Sequence, residues 1–226
     1  MTGTMTMIGK DMTGHLNKFA VVDFETMDTC RYTVCAVGVA ILDDGEIVDK
    51  FYSTVCPPTK YENKYCVEAH GLTYNDVKNS PSFSEVWEKV DRLIGDRPIV
   101  AHNSPFEKSC IDACGEEFGT KTDYQYIDTL KMAREVFPGA RNHKLDTLCE
   151  GLGVELANHH NALEDAVATA ECLREMMSMT DTVFNMDINN HVEAWKPLIL
   201  DEAKKERIDE AERKMGYYNC YDYRVY

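Results

Sequence analysis

The chain has 226 residues, 44% of them hydrophobic, 10% aromatic and 28% charged, with 24 Lys and Arg against 39 Asp and Glu for a net charge of −15. That length and composition suit one ordinary domain with an added tail, and they exclude collagen, low-complexity disorder and coiled coil. So acidic a chain repels phosphate at long range. This excludes a general duplex-DNA coat and confines any nucleic-acid contact to a basic patch, a cation site or a captured strand end. Nine scattered cysteines with no Cys-x-x-Cys pair read as reduced thiols in a cytoplasmic protein. Residues 1–18 lack a signal-peptide stretch and no run nears a membrane span, so neither is expected.

Residues 1–18 are rich in Met, Thr and Gly and are expected to form a flexible segment. Phe19 to Phe24 is a short apolar run, read as a buried strand; Tyr32–Leu42 and Glu46–Val55 follow as strands, with Asp43-Asp44-Gly45 as a hairpin signal between them. Ser82–Ile94 carries a 3.6-residue apolar stripe, opened by the capping box Ser82-x-x-Glu85 and closed by Gly95. Pro98–Ala101 reads as a strand, Ser104-Pro105 as a helix start, and Tyr124–Ile127 as a fifth strand. Asp128 caps a helix to about Phe137, a small helix follows near Leu145–Glu150, and Asn161 to about Met177 is a helix with Leu163, Ala166, Val167, Ala170, Leu173 and Met177 as its apolar face. Leu198–Lys214 reads as a charged helix before an aromatic tail, Tyr217–Tyr226. Three antiparallel strands followed by αβαβα predict an α/β fold with helices packed on a mixed sheet.

Three short segments carry the chemistry. Asp23 and Glu25, two apart near the end of the first strand, project to one face. Paired carboxylates there are costly unless a cation sits between them, and Mg2+ prefers such ligands. In His160-Asn161-Ala162-Leu163-Glu164-Asp165 the helix starts at Asn161. His160 is thereby left outside the helix, either as a candidate general base or, with His159, as a surface loop residue, and Asp165, off the apolar stripe, can face a cleft. In His102-Asn103-Ser104-Pro105-Phe106-Glu107, spacing alone leaves Glu107 either a metal ligand or the partner of Ser104 in a second capping box.

Together these segments resemble the DEDDh (DnaQ-like) 3′–5′ exonucleases of the ribonuclease H-like fold, which include the proofreading epsilon subunit of bacterial DNA polymerase III. Asp-Phe-Glu-Thr at 23–26 is similar to the family's first motif, residues 102–107 to its second and residues 160–165 to its third. His70-Gly71-Leu72-Thr73 is also similar to a familial stretch. The resemblance covers roughly residues 18–178, and Glu107 departs from it, standing where the family usually has Asp.

The resemblance implies a mixed five-stranded sheet flanked by helices. It implies an exonuclease domain over 19–178 with a C-terminal helical and aromatic extension over 179–226. The implied activity is hydrolysis of single-stranded DNA or RNA 3′ ends to nucleoside 5′-monophosphates, in proofreading or repair, with two Mg2+ or Mn2+ ions. Asp23, Glu25, Glu107 and Asp165 are the implied metal ligands and His160 the base. Phe24, Thr26, His102, Asn103 and Phe106 are the implied substrate contacts, with both phenylalanines equally suited to the core. A DNA polymerase subunit is an implied partner, a homodimer is left open, and no membrane association is expected. Lys131, Arg134, Arg141, His143 and Lys144 form a basic stretch suited either to upstream phosphates or to ordinary helix surface. The alternative reading is a nucleotide- or 3′-end-binding module weakened in catalysis by Glu107.

Overall fold

The computed structural model describes residues 18–183, 196–198 and 201–216. The expectations for residues 1–17 and for the aromatic tail lie outside them. β1 (Lys18–Thr26), β2 (Val34–Asp43) and β3 (Glu46–Thr54) form an antiparallel meander, and β4 (Ile99–Ala101) and β5 (Tyr126–Asp128) extend it in parallel. The sheet order is β3-β2-β1-β4-β5, the mixed five-stranded sheet the sequence predicts. Asp44 and Gly45 both have positive φ, 51° and 84°, which suits the tight hairpin between β2 and β3.

β1 explains the two cores. Phe19 and Val21 point to one face, where α5 (Thr129–Val136), α6 (Leu145–Leu152), α7 (Ala162–Met179) and α8 (Glu202–Met215) pack. Ala20, Val22 and Phe24 point to the other, beneath α3 (Phe83–Ile94) and α4 (Ser104–Phe118). The period of two carries Asp23 and Glu25 onto the α7 face. Ser82 and Glu85 cap α3 reciprocally and Asp128 caps α5, as expected. Cys110 and Cys114 are buried thiols of α4.

Two short helices that the periodicity did not announce, α1 (Lys64–His70) and α2 (Tyr74–Val77), join the meander to α3. α1 buries no residue fully, so it leaves no apolar stripe to read. A further two-stranded pair, β6 (Asp181–Val183) and β7 (Lys196–Leu198), follows α7. α8 packs Ile208, Ala211 and Met215 into the α7-side core. Glu212 accepts the Gly139 N–H at 2.7 Å, and Arg207 pairs with Glu175 at 3.1 Å. No helix among the described residues is long and apolar enough to cross a membrane.

The face of α7 differs from its expected stripe. Ala166, Ala170 and Leu173 are buried as expected, but so are Ala162, Asp165, Thr169, Cys172 and Met176, whereas Leu163, Val167 and Met177 are only partly so. Asp165 therefore lies on the buried face and not off it. The helix meets the sheet through small residues, which the larger side chains on its flank outweigh in a hydropathy reading.

Candidate active site

Gly38 of β2 lies opposite Asp23 in the sheet register. A Cβ there would stand 2.1 Å from the Ala162 carbonyl oxygen and 2.3 Å from the Leu163 nitrogen. The missing side chain lets the first turn of α7 descend onto the strands that carry the acids. Sequence reasoning missed this residue; a glycine amid the apolar residues of a strand was the available signal.

The result is a cluster. Asp23, Glu25 and Asp165 each place a carboxylate oxygen within 4.8 Å of the others. Glu107, from α4, exerts the strongest like-charge repulsion on Asp23. Asp165 and Glu107 are 4% and 3% exposed, and neither Asp165 Oδ1 nor Glu107 Oε2 has a hydrogen-bond partner among the described residues. Asp165 Oδ2 accepts the His160 backbone N–H at 2.9 Å. Burial holds the Asp23 carboxyl well above the usual range, and repulsion from Glu107, Glu25 and Asp165 adds to it. Burial, then Asp165, pushes Glu25 up to about 8. Burial also takes Glu107 to about 8; its own backbone N–H and Arg31 oppose the rise, while Asp128 and Glu25 add to it. Burial raises Asp165 against the pull of His159 and of the His160 backbone and ring.

Crowded, desolvated carboxylates with orphaned oxygens are unfavourable without positive charge among them. An all-oxygen donor set of this kind fits Mg2+ or Mn2+. Asp23, Glu25, Asp165 and Glu107 thus fit divalent cations on their own chemistry.

Of the two readings left open for Glu107, the second capping box is absent. α4 is capped at Asn103, which adopts φ 79° and makes no side-chain cap, and Ser104 is the first helical residue. This shift of one residue frees the Glu107 carboxylate from capping and turns it into the acidic cluster. At α7, Asn161 caps through its side chain, accepting from the Leu163 and Glu164 N–H groups at 3.1 and 3.2 Å. His160 precedes it with φ 67°, exposed, its ring stacked on His159 at 4.1 Å.

The remaining expected contacts divide. Thr26 is buried at the edge of the site, and its carbonyl accepts from His70 Nε2 at 3.2 Å. His70 Nδ1 accepts the Leu72 N–H at 3.1 Å, which fixes a neutral tautomer. Phe106 is half-buried beside Glu107. Phe24 does not offer a face to a ligand: it is 3% exposed and packs on Trp87 and Phe83 in the core on the other side of the sheet. Both ring nitrogens of His102 are used within the fold, Nε2 donating to the His143 carbonyl at 2.9 Å and Nδ1 pairing with the Thr129 hydroxyl at 3.1 Å. The Asn103 N–H donates to Asp128 at 3.1 Å. Of the basic stretch, Lys131, Arg134, Arg141 and Lys144 are exposed, while His143 bonds the Phe137 carbonyl through Nε2 at 2.8 Å.

The chain is similar to known proteins in sequence and in fold. The chain is 34% identical over 162 residues to DNA polymerase III PolC-type of Bacillus cereus, which covers 70% of this chain and 11% of that protein. It is 32% identical over 174 residues to the Clostridium perfringens counterpart, covering 76% and 12%. It thus spans only about an eighth of these relatives' length. In fold it is similar to exonuclease X in complex with 5′ overhanging duplex DNA (TM-score 0.61, 21% identity, 72% of this chain and 93% of that one). It is likewise similar to the nuclease domain of 3′hExo, a DEDDh family member, bound to rAMP (TM-score 0.62, 20% identity, 72% and 92%). The sheet and its helices are ribonuclease H-like. The family model describing exonucleases of the RNase_T type matches residues 20–173, and the chain belongs to that exonuclease family.

Proposed function

We propose that this exonuclease works in the 3′–5′ direction on single-stranded DNA or RNA ends, releases nucleoside 5′-monophosphates, and uses two divalent cations, Mg2+ or Mn2+. The observation that carries this reading is the convergence of four acids from three distant segments, two of them with orphaned buried oxygens, beside the exposed His160 and the His159 ring stacked on it. Asp23, Glu25 and Asp165 would hold one cation, and Asp23 with Glu107 the second. When bound, the cations neutralise the cluster and supply the positive charge that a phosphodiester under attack by water needs.

The chain's own residues do the rest. A ring nitrogen of His160 accepts the proton of the attacking water. The water oxygen bonds to phosphorus as the bond from phosphorus to the 3′ oxygen breaks, and the terminal nucleotide leaves as its 5′-monophosphate. Asp165, through the His160 N–H, ties the base to the acidic cluster. Thr26 and Phe106 line the place for the terminal nucleotide, and Phe24 has no part in it. The binding-module alternative is not favoured, because Glu107 is turned into the cluster rather than onto a helix cap. The PolC-type relatives support a polymerase as partner and proofreading as the setting.

The test is digestion of matched DNA and RNA oligonucleotides, labelled at either end, with Mg2+, Mn2+ or EDTA. Stepwise shortening from the 3′ end, with monophosphate product and loss in EDTA, is expected. Shortening from the 5′ end, or turnover in EDTA, would overturn the reading.

A further inference from the structure

Arg31 stands in the turn between β1 and β2, a part of the site that no motif covers. Its guanidinium carbon lies 4.2 Å from the centre of the Phe106 ring. Phe106 immediately precedes Glu107, and Arg31 attracts the Glu107 carboxylate. Yet among the described residues no carboxylate comes within ion-pair distance of Arg31, and no hydrogen bond of its guanidinium is seen. The other half-buried arginines among the described residues behave differently: Arg97 holds Asp43 with two bonds of 2.9 and 3.0 Å, and Arg174 pairs with Glu171 and Glu175. A half-buried guanidinium with five donors and no acceptor is unusual, and in a chain of net charge −15 carboxylates are plentiful.

The turn that carries Arg31 is tied down. The Asp28 carboxylate accepts from the Cys30 N–H at 2.5 Å and from the Thr33 hydroxyl at 3.3 Å. The Thr33 N–H donates to the Cys30 carbonyl at 3.0 Å, and the Met27 N–H to the Thr33 carbonyl at 2.8 Å. Arg31 is therefore offered from a turn closed by these bonds, against an aromatic face that supports the flat side of the guanidinium and leaves its edge free. A planar edge of N–H donors matches the non-bridging oxygens of a phosphate. The acids of the site repel such an anion at longer range, and Arg31 supplies local compensation at its rim.

We propose that Arg31 is a substrate-binding residue that donates from its guanidinium edge to a phosphate of the bound strand, with Phe106 holding it in place. This deepens the exonuclease reading above and rests on it. The contact raises affinity and registers the strand end, and the proton transfer does not pass through it.

The experiment compares wild type, Arg31→Gln and Arg31→Lys. Each is titrated with a fluorescent oligodeoxythymidylate in Ca2+ buffer, over a series of salt concentrations, under conditions where gels show no shortening. Arg31→Gln is expected to weaken binding at least about tenfold and to flatten the slope of log affinity against log salt by about 0.7, the loss of one phosphate contact on a single strand. Arg31→Lys is expected to recover the slope and part of the affinity. Thymidine 5′-monophosphate, titrated in parallel, locates the contact: weaker binding of both ligands by Arg31→Gln places it at the terminal phosphate, and weaker binding of the oligonucleotide alone places it upstream. Unchanged affinity and slope in Arg31→Gln, with the thermal midpoint retained, would overturn the proposal. So would unchanged affinity with a collapse of kcat in Mg2+, which would make Arg31 a positioning residue for Glu107. Wild type that binds and shortens the oligonucleotide while Arg31→Gln matches it sinks this inference alone; wild type that never shortens it sinks the exonuclease polarity and mechanism instead.

Discussion

The starts of α4 and α7 read alike and fold differently. Each has a histidine, then an asparagine at the N-cap, then an acid four residues later: His102, Asn103 and Glu107 in one, His160, Asn161 and Asp165 in the other. Both acids end up buried in the same cluster. The difference is the residue with the left-handed backbone. At α4 it is the asparagine, φ 79°, which then caps nothing with its side chain, and its histidine is bonded into the fold through both ring nitrogens. At α7 it is the histidine, φ 67°, while the asparagine caps the helix. A one-residue offset in backbone conformation thus separates a structural histidine from an exposed one, the proposed base.

Exchanging the roles in this pair has unequal consequences. His160→Ala is expected to lower kcat about 10²–10⁴-fold with the thermal midpoint and cation affinity retained. His102→Ala, which orphans the His143 carbonyl, should cost about 1–3 kcal/mol of stability while turnover per folded molecule stays within about tenfold. Steady-state rates beside thermal melts of both variants check this, and equal kcat losses would erase the distinction. On the acids, Glu107→Gln should cost at least about 10–100-fold in cation affinity or turnover, and Glu107→Asp far less, by isothermal titration with Mn2+ and oligonucleotide digestion.

The pH dependence follows from the same acids. Glu25 and Glu107 move from 4.5 to about 8 on folding, so the fold favours their protonated forms. Their contribution to stability is fully present below about 4.5 and is lost as pH rises through about 8. In EDTA the wild-type thermal midpoint should fall across that window, Glu107→Gln should fall less, and saturating Mg2+ should flatten the curve. The smallest effects belong to the caps. Asn161→Ala should cost about 1 kcal/mol by denaturant melts, whereas Asn103→Gly should change stability by less than about 0.5 kcal/mol.

Much of this was legible because strand and helix periods are local. The alternation of β1 put Asp23 and Glu25 on one face, and Asn161 announced the start of α7. What was hidden depends on contacts between segments. Ser104 and Glu107 satisfy the spacing of a capping box, and only the backbone of Asn103 shows that the helix is capped one residue earlier. Phe24 sits between two acids in sequence, yet the same alternation turns it to the opposite core. The buried face of α7 begins with small residues such as Ala162 and Ala166 that allow close approach, and that approach is made possible by Gly38 on another strand.

On the function proposed, Asp23, Glu25, Glu107 and Asp165 come together to hold divalent cations. Anomalous diffraction from a crystal soaked in Mn2+ tests it most directly. An anomalous peak is expected between Asp23, Glu25 and Asp165, with Asp23 and Glu107 sharing a second. Well-ordered side chains with no anomalous density among them at saturating Mn2+ would contradict it.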